Sequence, residues 1–324
     1  MSGDRFVQTQ AITSVLKTRA SLCFRPMSAV AIVVPTRGRP PALDRALASI
    51  APQAQSVRAE LIVVEDGGAA AHVVSARHGA RLLALDTPRG PNAARNAGVA
   101  ATDADAVVLA EDDVEAPPGW LAALVRAMAA HPEVEVFGGP IRGRIDGRAW
   151  RTCGREWPPI SSFWRGDADH EVDLVFAGNM AIRRSALERV GPFAESLGLY
   201  ADEAGRIARA TGGAAPAAGF FGDEEEWQDR YRAGGGRILY VAAARLDHVR
   251  FGEAAATAAL VRAAYGRGKV ARRWSQSRDR APSLQREVRV LAGSAWHLVG
   301  RRCMNGLLFA ADAAGRVREA VSRG

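Results

Sequence analysis

Residues 106–113 read AVVLAEDD, an apolar run of strand length that ends in three consecutive carboxylates, Glu111, Asp112 and Asp113. Like charges this close repel, so a buried strand that ends in them needs a cation or polar ligand to offset the charge; an exposed acidic loop is the alternative. The surroundings decide between the two. Residues 30–34 (VAIVV) form a continuous β-branched run, the pattern of a strand buried on both faces, and Pro35 is expected to end it because proline cannot donate to a ladder. In residues 41–50 (PALDRALASI), Leu43, Ala46, Leu47 and Ile50 recur at helical spacing. Residues 60–64 (ELIVV) predict a second buried strand closed by Glu65-Asp66-Gly67-Gly68, so the segment reads as a right-handed βαβ unit. A third strand at 81–85, a helix at 92–100 and the strand 106–110 continue the alternation. The pattern predicts an α/β domain with a mostly parallel sheet. Ligands of such sheets bind beyond the carboxyl ends of the strands, where Pro35-Thr36-Arg37, Glu65-Asp66 and Glu111-Asp112-Asp113 all fall. Three polar strand ends favour a site over a solvated loop.

Composition sets the outer limits. The chain has 324 residues, 48% hydrophobic and 24% charged, which suits one large globular domain with an appendage. Its net charge of +8 is uneven: from Arg250 onward there are 15 Lys or Arg against 5 Asp or Glu, so the rest of the chain carries a small negative excess. No apolar stretch reaches the roughly 18 residues that span a bilayer, and residues 1–28 read as a loose leader without a signal-peptide core. Cys23, Cys153 and Cys303 lie far apart and suggest neither a disulfide framework nor metal-ligand spacing, which fits a cytoplasmic protein. Neither a G-x-x-x-x-G-K-[ST] loop nor a G-x-G-x-x-G turn is present, so a bound nucleotide is expected to be held by an acidic cluster through Mg²⁺ or Mn²⁺.

Six segments then follow one another in a telling order: VAIVVPTRGRP (30–40), VVEDGG (63–68), GPNAARNAG (90–98), VVLAEDDVEAPPGWL (107–121), FAGNMAIRRSALERVGPF (176–193) and GDEEEWQDR (222–230). Together they resemble the family 2 glycosyltransferases, whose GT-A fold has a Rossmann-like, mostly parallel sheet flanked by helices. The resemblance implies a catalytic domain over residues 29–250 and an inverting, metal-dependent transfer from a UDP-, GDP- or dTDP-linked sugar. The acceptor would be a saccharide, a lipid-linked molecule or a small molecule. It further implies nucleotide contacts at Pro35, Thr36, Arg39, Glu65, Asp66, Arg95, Glu111 and Asp112, with Mn²⁺ or Mg²⁺ on Asp113 and His248. Asn179 is expected on the acceptor side. Glu65 and Glu111 stand where the family has Asp, and Arg37-Gly38 where it has an aromatic-Asn pair. Trp120 reads as a packing residue that anchors the helix after it.

Five acids in residues 222–229 supply the second cluster (GDEEEWQD). Read alone it is a helix start that gains from the macrodipole; by the resemblance it holds the base that deprotonates the acceptor hydroxyl, at Glu224 with Asp223 beside it. A positioned base contributes about 10² to 10⁴-fold. The Ala/Gly-rich stretch 195–221 is expected to be a mobile loop over the site. Residues 251–324 predict amphipathic helices, whose Arg267, Lys269, Arg272, Arg273, Arg278 and Arg280 either rest on anionic lipid at the inner face of a membrane or stay solvated on helices packed against the catalytic domain. Nucleic acid ranks below both, because no recognition motif accompanies the charge. The competing functions are a non-catalytic nucleotide-sugar-binding module on the same fold and a nucleotidyltransferase. A processive polymer synthase is disfavoured, since Gln228-Asp229-Arg230-Tyr231 is not a Q-x-x-R-W element.

Overall fold

β1 (Val30–Thr36) is buried along almost its whole length, because a run of Val and Ile with no polar interruption leaves neither face for water. A computed structural model describes residues 29–147, 150–154, 157–197 and 224–322. After β1 come α1 (Pro40–Val57), β2 (Glu60–Asp66), α2 (His72–Arg77), β3 (Arg81–Leu85), α3 (Pro91–Ala100) and β4 (Ala106–Ala110). β5 (Val114–Glu115), α4 (Trp120–Ala130), β6 (Val136–Gly138), β7 (Ile141–Ile145), β8 (His170–Val172), β9 (Asn179–Arg183) and α5 (Arg184–Val190) continue the chain. The last elements are α6 (Glu225–Ala233), β10 (Ile238–Tyr240), β11 (Leu246–Arg250), α7 (Thr257–Gln276), α8 (Leu284–Gly300) and α9 (Met304–Val321).

The main sheet has eight strands in the order β3-β2-β1-β4-β9-β6-β10-β8. Pairing is parallel except around β9, which runs against β4 and β6, and at the edge strand β8. The sheet is therefore the mostly parallel, helix-flanked one that the alternating pattern predicts. The direction of β9 was not legible in sequence, because hydrophobic periodicity carries no cue to whether a strand runs parallel or antiparallel. A second sheet, β5-β11-β7, has three strands.

One expectation needs correction. Pro35 does not end β1. Pairing with β4 stops at Val33↔Leu109, but pairing with β2 runs on through Thr36↔Glu65, so a residue without an N–H is tolerated where only one neighbour remains. α1 likewise passes through Pro52 to Val57; the lost backbone bond is offset by the burial of Ala51 and Ala54 in the core.

α3 lies very close to the sheet. A Cβ on Gly98 would sit 2.3 Å from Cγ1 of Val33 and 3.1 Å from Cγ2 of Val64. Gly98→Ala must push the helix outward, and overpacking of this kind costs about 1–3 kcal/mol. Chemical denaturation should show a lower midpoint with an unchanged slope; an unchanged midpoint would mean that α3 does not pack this tightly.

The C-terminal helices fold back onto the sheet domain. Leu260, Ala264 and Leu308 join Ile145 and Ile160 in one apolar cluster. α7 and α9 cross with their backbones nearly touching, as a Cβ on Gly268 would lie 1.9 Å from Asp312 O. Much of the basic stretch is internally engaged: Arg267 donates to Pro159 O at 3.1 Å, Arg272 to Pro282 O, Arg273 to Glu319 at 2.6 Å and Arg278 to Asp229. α8 is different, with Trp296 71% and Val299 73% exposed despite the amphipathic pattern. No described helix is long and apolar enough to cross a membrane. The leader 1–28 and residues 198–221 of the stretch expected as a loop, together with 222 and 223, lie outside the described residues.

Candidate active site

The acid triplet lies where the two sheets meet. β4 ends at Ala110, and after three residues β5 pairs with β11 so that His248 sits opposite Val114. The N–H of Val249 donates to Asp113 O at 2.9 Å and fixes the join. β11 presents alternate residues to opposite sides. His248 and Arg250 turn to the acids: His248 Nε2 is 3.2 Å from Asp113 Oδ1 and 3.7 Å from Glu111 Oε2, while Arg250 pairs with Asp113 Oδ2. Asp247 turns the other way, to Arg142 at 3.0 Å and Arg144 at 3.5 Å.

Each acid has a separate environment. Asp112 is fully buried, accepts from Thr36 Oγ1 at 2.6 Å and takes both Nε and Nη2 of Arg39. Arg39 also donates to Asp113 Oδ2 at 3.2 Å, so it spans two carboxylates. Burial pushes the Asp112 carboxyl up to about 6 against the pull of Arg39, and the charge of Asp113 adds to the rise. For Asp113 burial also acts upward, but the imidazole of His248 and the guanidinium groups of Arg250 and Arg39 outweigh it and hold that carboxyl well below the usual range. Asp113 therefore stays ionised. Glu111 is the most open of the three, with its side chain 37% exposed. A Cβ on Gly178 would be 3.0 Å from Glu111 Cδ, so any larger residue there would displace the Glu111 carboxylate by a few tenths of an ångström.

Glu111, Asp113 and His248 each offer a ligand atom, and these atoms lie within 4.8 Å of one another. Two carboxylates with one imidazole form a donor set suited to Mn²⁺ or Mg²⁺. The Nδ1 of His248 is buried without a hydrogen-bond partner among the described residues.

Other predicted site residues have internal work. The carboxylate of Glu65 is fully buried and accepts the N–H of Ala70 and Ala71, each at 2.9 Å, so it closes the turn into α2 and does not face a ligand. Asp66 accepts from Arg89 N at 2.7 Å and Gly90 N at 2.9 Å, and burial raises its carboxyl against these two bonds. Arg95 is buried, not a surface arginine, and donates to Asn92 Oδ1 at 2.8 Å. Asn179 differs from the expected acceptor-side contact. Its Oδ1 accepts from Trp120 Nε1 at 2.8 Å, and its Nδ2 donates to Pro140 O at 3.2 Å and Ala244 O at 2.7 Å. With the whole amide engaged, Asn179 braces the floor beneath the acids.

Glu224 caps the N-terminus of α6; Asp223 lies outside the described residues. The helix is tied to the acid cluster through Gln228, whose side chain accepts the N–H of Val175 and donates to its carbonyl, both at 2.9 Å, three residues before Gly178. Trp120, Trp157, Trp164, Pro140 and Arg245 line a cleft of about 350 Å³ that none of the three acids borders. Sequence reasoning missed Arg250. The signal was its two-residue offset from His248, which puts both on one face of a strand.

Residues 31–191 match the model described as Glycosyl transferase family 2. This segment is a glycosyltransferase family 2 domain. No curated protein matches the chain. Among solved structures, the family 2 chain is similar to a mannosyltransferase from Pyrobaculum calidifontis in complex with GDP-Man and Mn²⁺. The TM-score is 0.52 and the identity 18%, over 93% of this chain and 76% of that one. It is also similar to GalNAc-T7 with UDP, GalNAc and Mn²⁺, with a TM-score of 0.51 and 14% identity over 74% of this chain. The glycosyltransferase chain spans 47% of the GalNAc-T7 chain. At these identities the likeness is one of fold, and the fold is GT-A.

Proposed function

We propose that the protein transfers a sugar from a nucleotide-diphospho-sugar to an acceptor hydroxyl with inversion, using a divalent cation. The observation that carries this reading is the convergence of Glu111, Asp113 and His248 at the carboxyl end of the sheet. The two structural neighbours hold UDP or GDP-mannose with Mn²⁺, the same class of donor and metal. Glu111, Asp113 and His248 would hold Mn²⁺ or Mg²⁺, which when bound neutralises charge developing on the leaving nucleoside diphosphate.

The remaining chemistry belongs to the chain. A carboxylate at the start of α6, Glu224 or the adjacent Asp223, takes the proton of the acceptor hydroxyl as its oxygen attacks the anomeric carbon. Attack from the face opposite the diphosphate breaks the bond between that carbon and the leaving oxygen, which inverts the configuration. Arg39 and Arg250, already against Asp112 and Asp113, stand where diphosphate oxygens would need donors. Thr36 and Arg39 hold Asp112 in place, and Asp66 steadies the loop that leads into α3 and Arg95.

The purified protein should gain thermal stability with one of the UDP-, GDP- or dTDP-sugars, and more with Mn²⁺ than without. Stabilisation equal with and without Mn²⁺ would instead assign the charge compensation to Arg39 and Arg250. Donor binding without hydrolysis or transfer to any acceptor would favour the non-catalytic module.

A further inference from the structure

Cys153 and Cys303 are separated by 150 positions in the sequence, and their spacing suggests no metal site. The fold overturns that expectation. Cys153, His297 and Cys303 each offer a ligand atom, all within 4.8 Å of one another, at the turn between α8 and α9. Cys303 is fully buried and is the residue that caps α9, while Cys153 and His297 are half-buried. Neither cysteine is in a disulfide.

We propose that these three side chains hold a structural Zn²⁺ ion, with a water or one further protein group completing the tetrahedron. Two thiolates and an imidazole are the soft donor set that selects zinc over the harder ions suited to Glu111, Asp113 and His248. The site is built by its neighbours. Trp150 Nε1 donates to Asn305 Oδ1 at 2.8 Å, Asn305 Nδ2 donates to Trp157 O at 3.2 Å, and Met304 N donates to Arg151 O at 2.9 Å. These bonds dock the segment that carries Cys153 against the start of α9.

The geometry requires a small adjustment. Cys153 Sγ lies 2.7 Å from His297 Nε2, whereas zinc bonds of about 2.3 Å to sulfur and about 2.0 Å to nitrogen give a tetrahedral edge of about 3.6 Å. Cys153 must therefore move outward by about an ångström. Its neighbours in that segment, Arg151 and Gly154, are exposed. The ion would join the segment bearing Trp157, which lines the tryptophan cleft, to the hinge between the last two helices.

The test is metal content of the full chain, purified under reducing conditions and dialysed without chelator, measured by mass spectrometry of the elements. Wild type and Asp113→Ala should each retain about one zinc per chain. Cys153→Ser and His297→Ala, at half-buried positions chosen to spare folding, should each lose it while keeping the far-UV circular dichroism of wild type. Cobalt substitution should add a thiolate-to-metal absorption band in wild type that is absent from Cys153→Ser. Chelation should lower the melting temperature of wild type to that of the variants. The proposal is overturned if wild type binds no zinc, if both variants keep it, if Asp113→Ala loses it, or if reduced, zinc-free protein melts at the same temperature as the zinc-loaded form. A Cys153–Cys303 disulfide in freshly isolated protein, seen by peptide mapping, would also overturn it.

Discussion

Asp113→Ala is expected to eliminate the Mn²⁺-dependent part of donor binding and to lower transfer by about 10² to 10³-fold, the scale of losing one charge-stabilising element. Asp113 is the member of the triplet that stays ionised, and it alone touches His248, Arg250 and Arg39 together. Its removal leaves two carboxylates facing the two guanidinium groups of Arg39 and Arg250, so the net negative charge of the cluster is lost. A nucleoside diphosphate can then still bind, but without Mn²⁺. Calorimetry with and without the ion separates these outcomes. Asp113→Asn, which keeps the shape, should lose the Mn²⁺ increment while folding as wild type does. If either variant retains that increment, the cation is not held by Asp113.

Glu224→Gln should behave differently, sparing donor binding and lowering transfer by about 10² to 10⁴-fold, because glutamine keeps the size of the side chain but accepts no proton. The position at the start of α6 is consistent with such a role: a carboxylate beside the exposed N–H groups of a first turn is stabilised as the anion. Donor affinity by calorimetry and turnover by product release give the two readings. The companion variant Asp223→Asn settles the choice between neighbours. If it abolishes turnover while Glu224→Gln keeps it, Asp223 is the base.

The sheet could be read from sequence because its strands are buried on both faces, so 30–34, 60–64 and 106–110 had to be unbroken apolar runs. Their polar ends could be read for the same reason, since charge at the end of such a run is out of place without a partner. What stayed hidden was pairing over distance. Arg250 meets Asp113 across 137 positions, and nothing local in LDHVR names that partner. Glu65 shows the opposite error. Its acidity is a poor guide to a ligand contact, because the charge is satisfied by two backbone amides of its own turn. Asn179 was placed near the site by the resemblance, but only the fold reveals that its amide is fully engaged with Trp120, Pro140 and Ala244. The cysteines were set aside on spacing, which cannot register a loop and a helix cap that approach each other in space.

The alternation of β11 also bears on how the chain avoids misassembly. Because strand side chains repeat every two residues, a slip of one position in pairing would exchange the two faces. Asp247 and Val249 would then meet Glu111, Asp112 and Asp113, while His248 and Arg250 would face Arg142 and Arg144. A fourth carboxylate would enter a cluster that has lost Arg250 and keeps only Arg39, and like charges would gather on the other side. The slipped strand is thus repelled at both faces, so the same charges that equip the site also proofread the register of the strand that builds it.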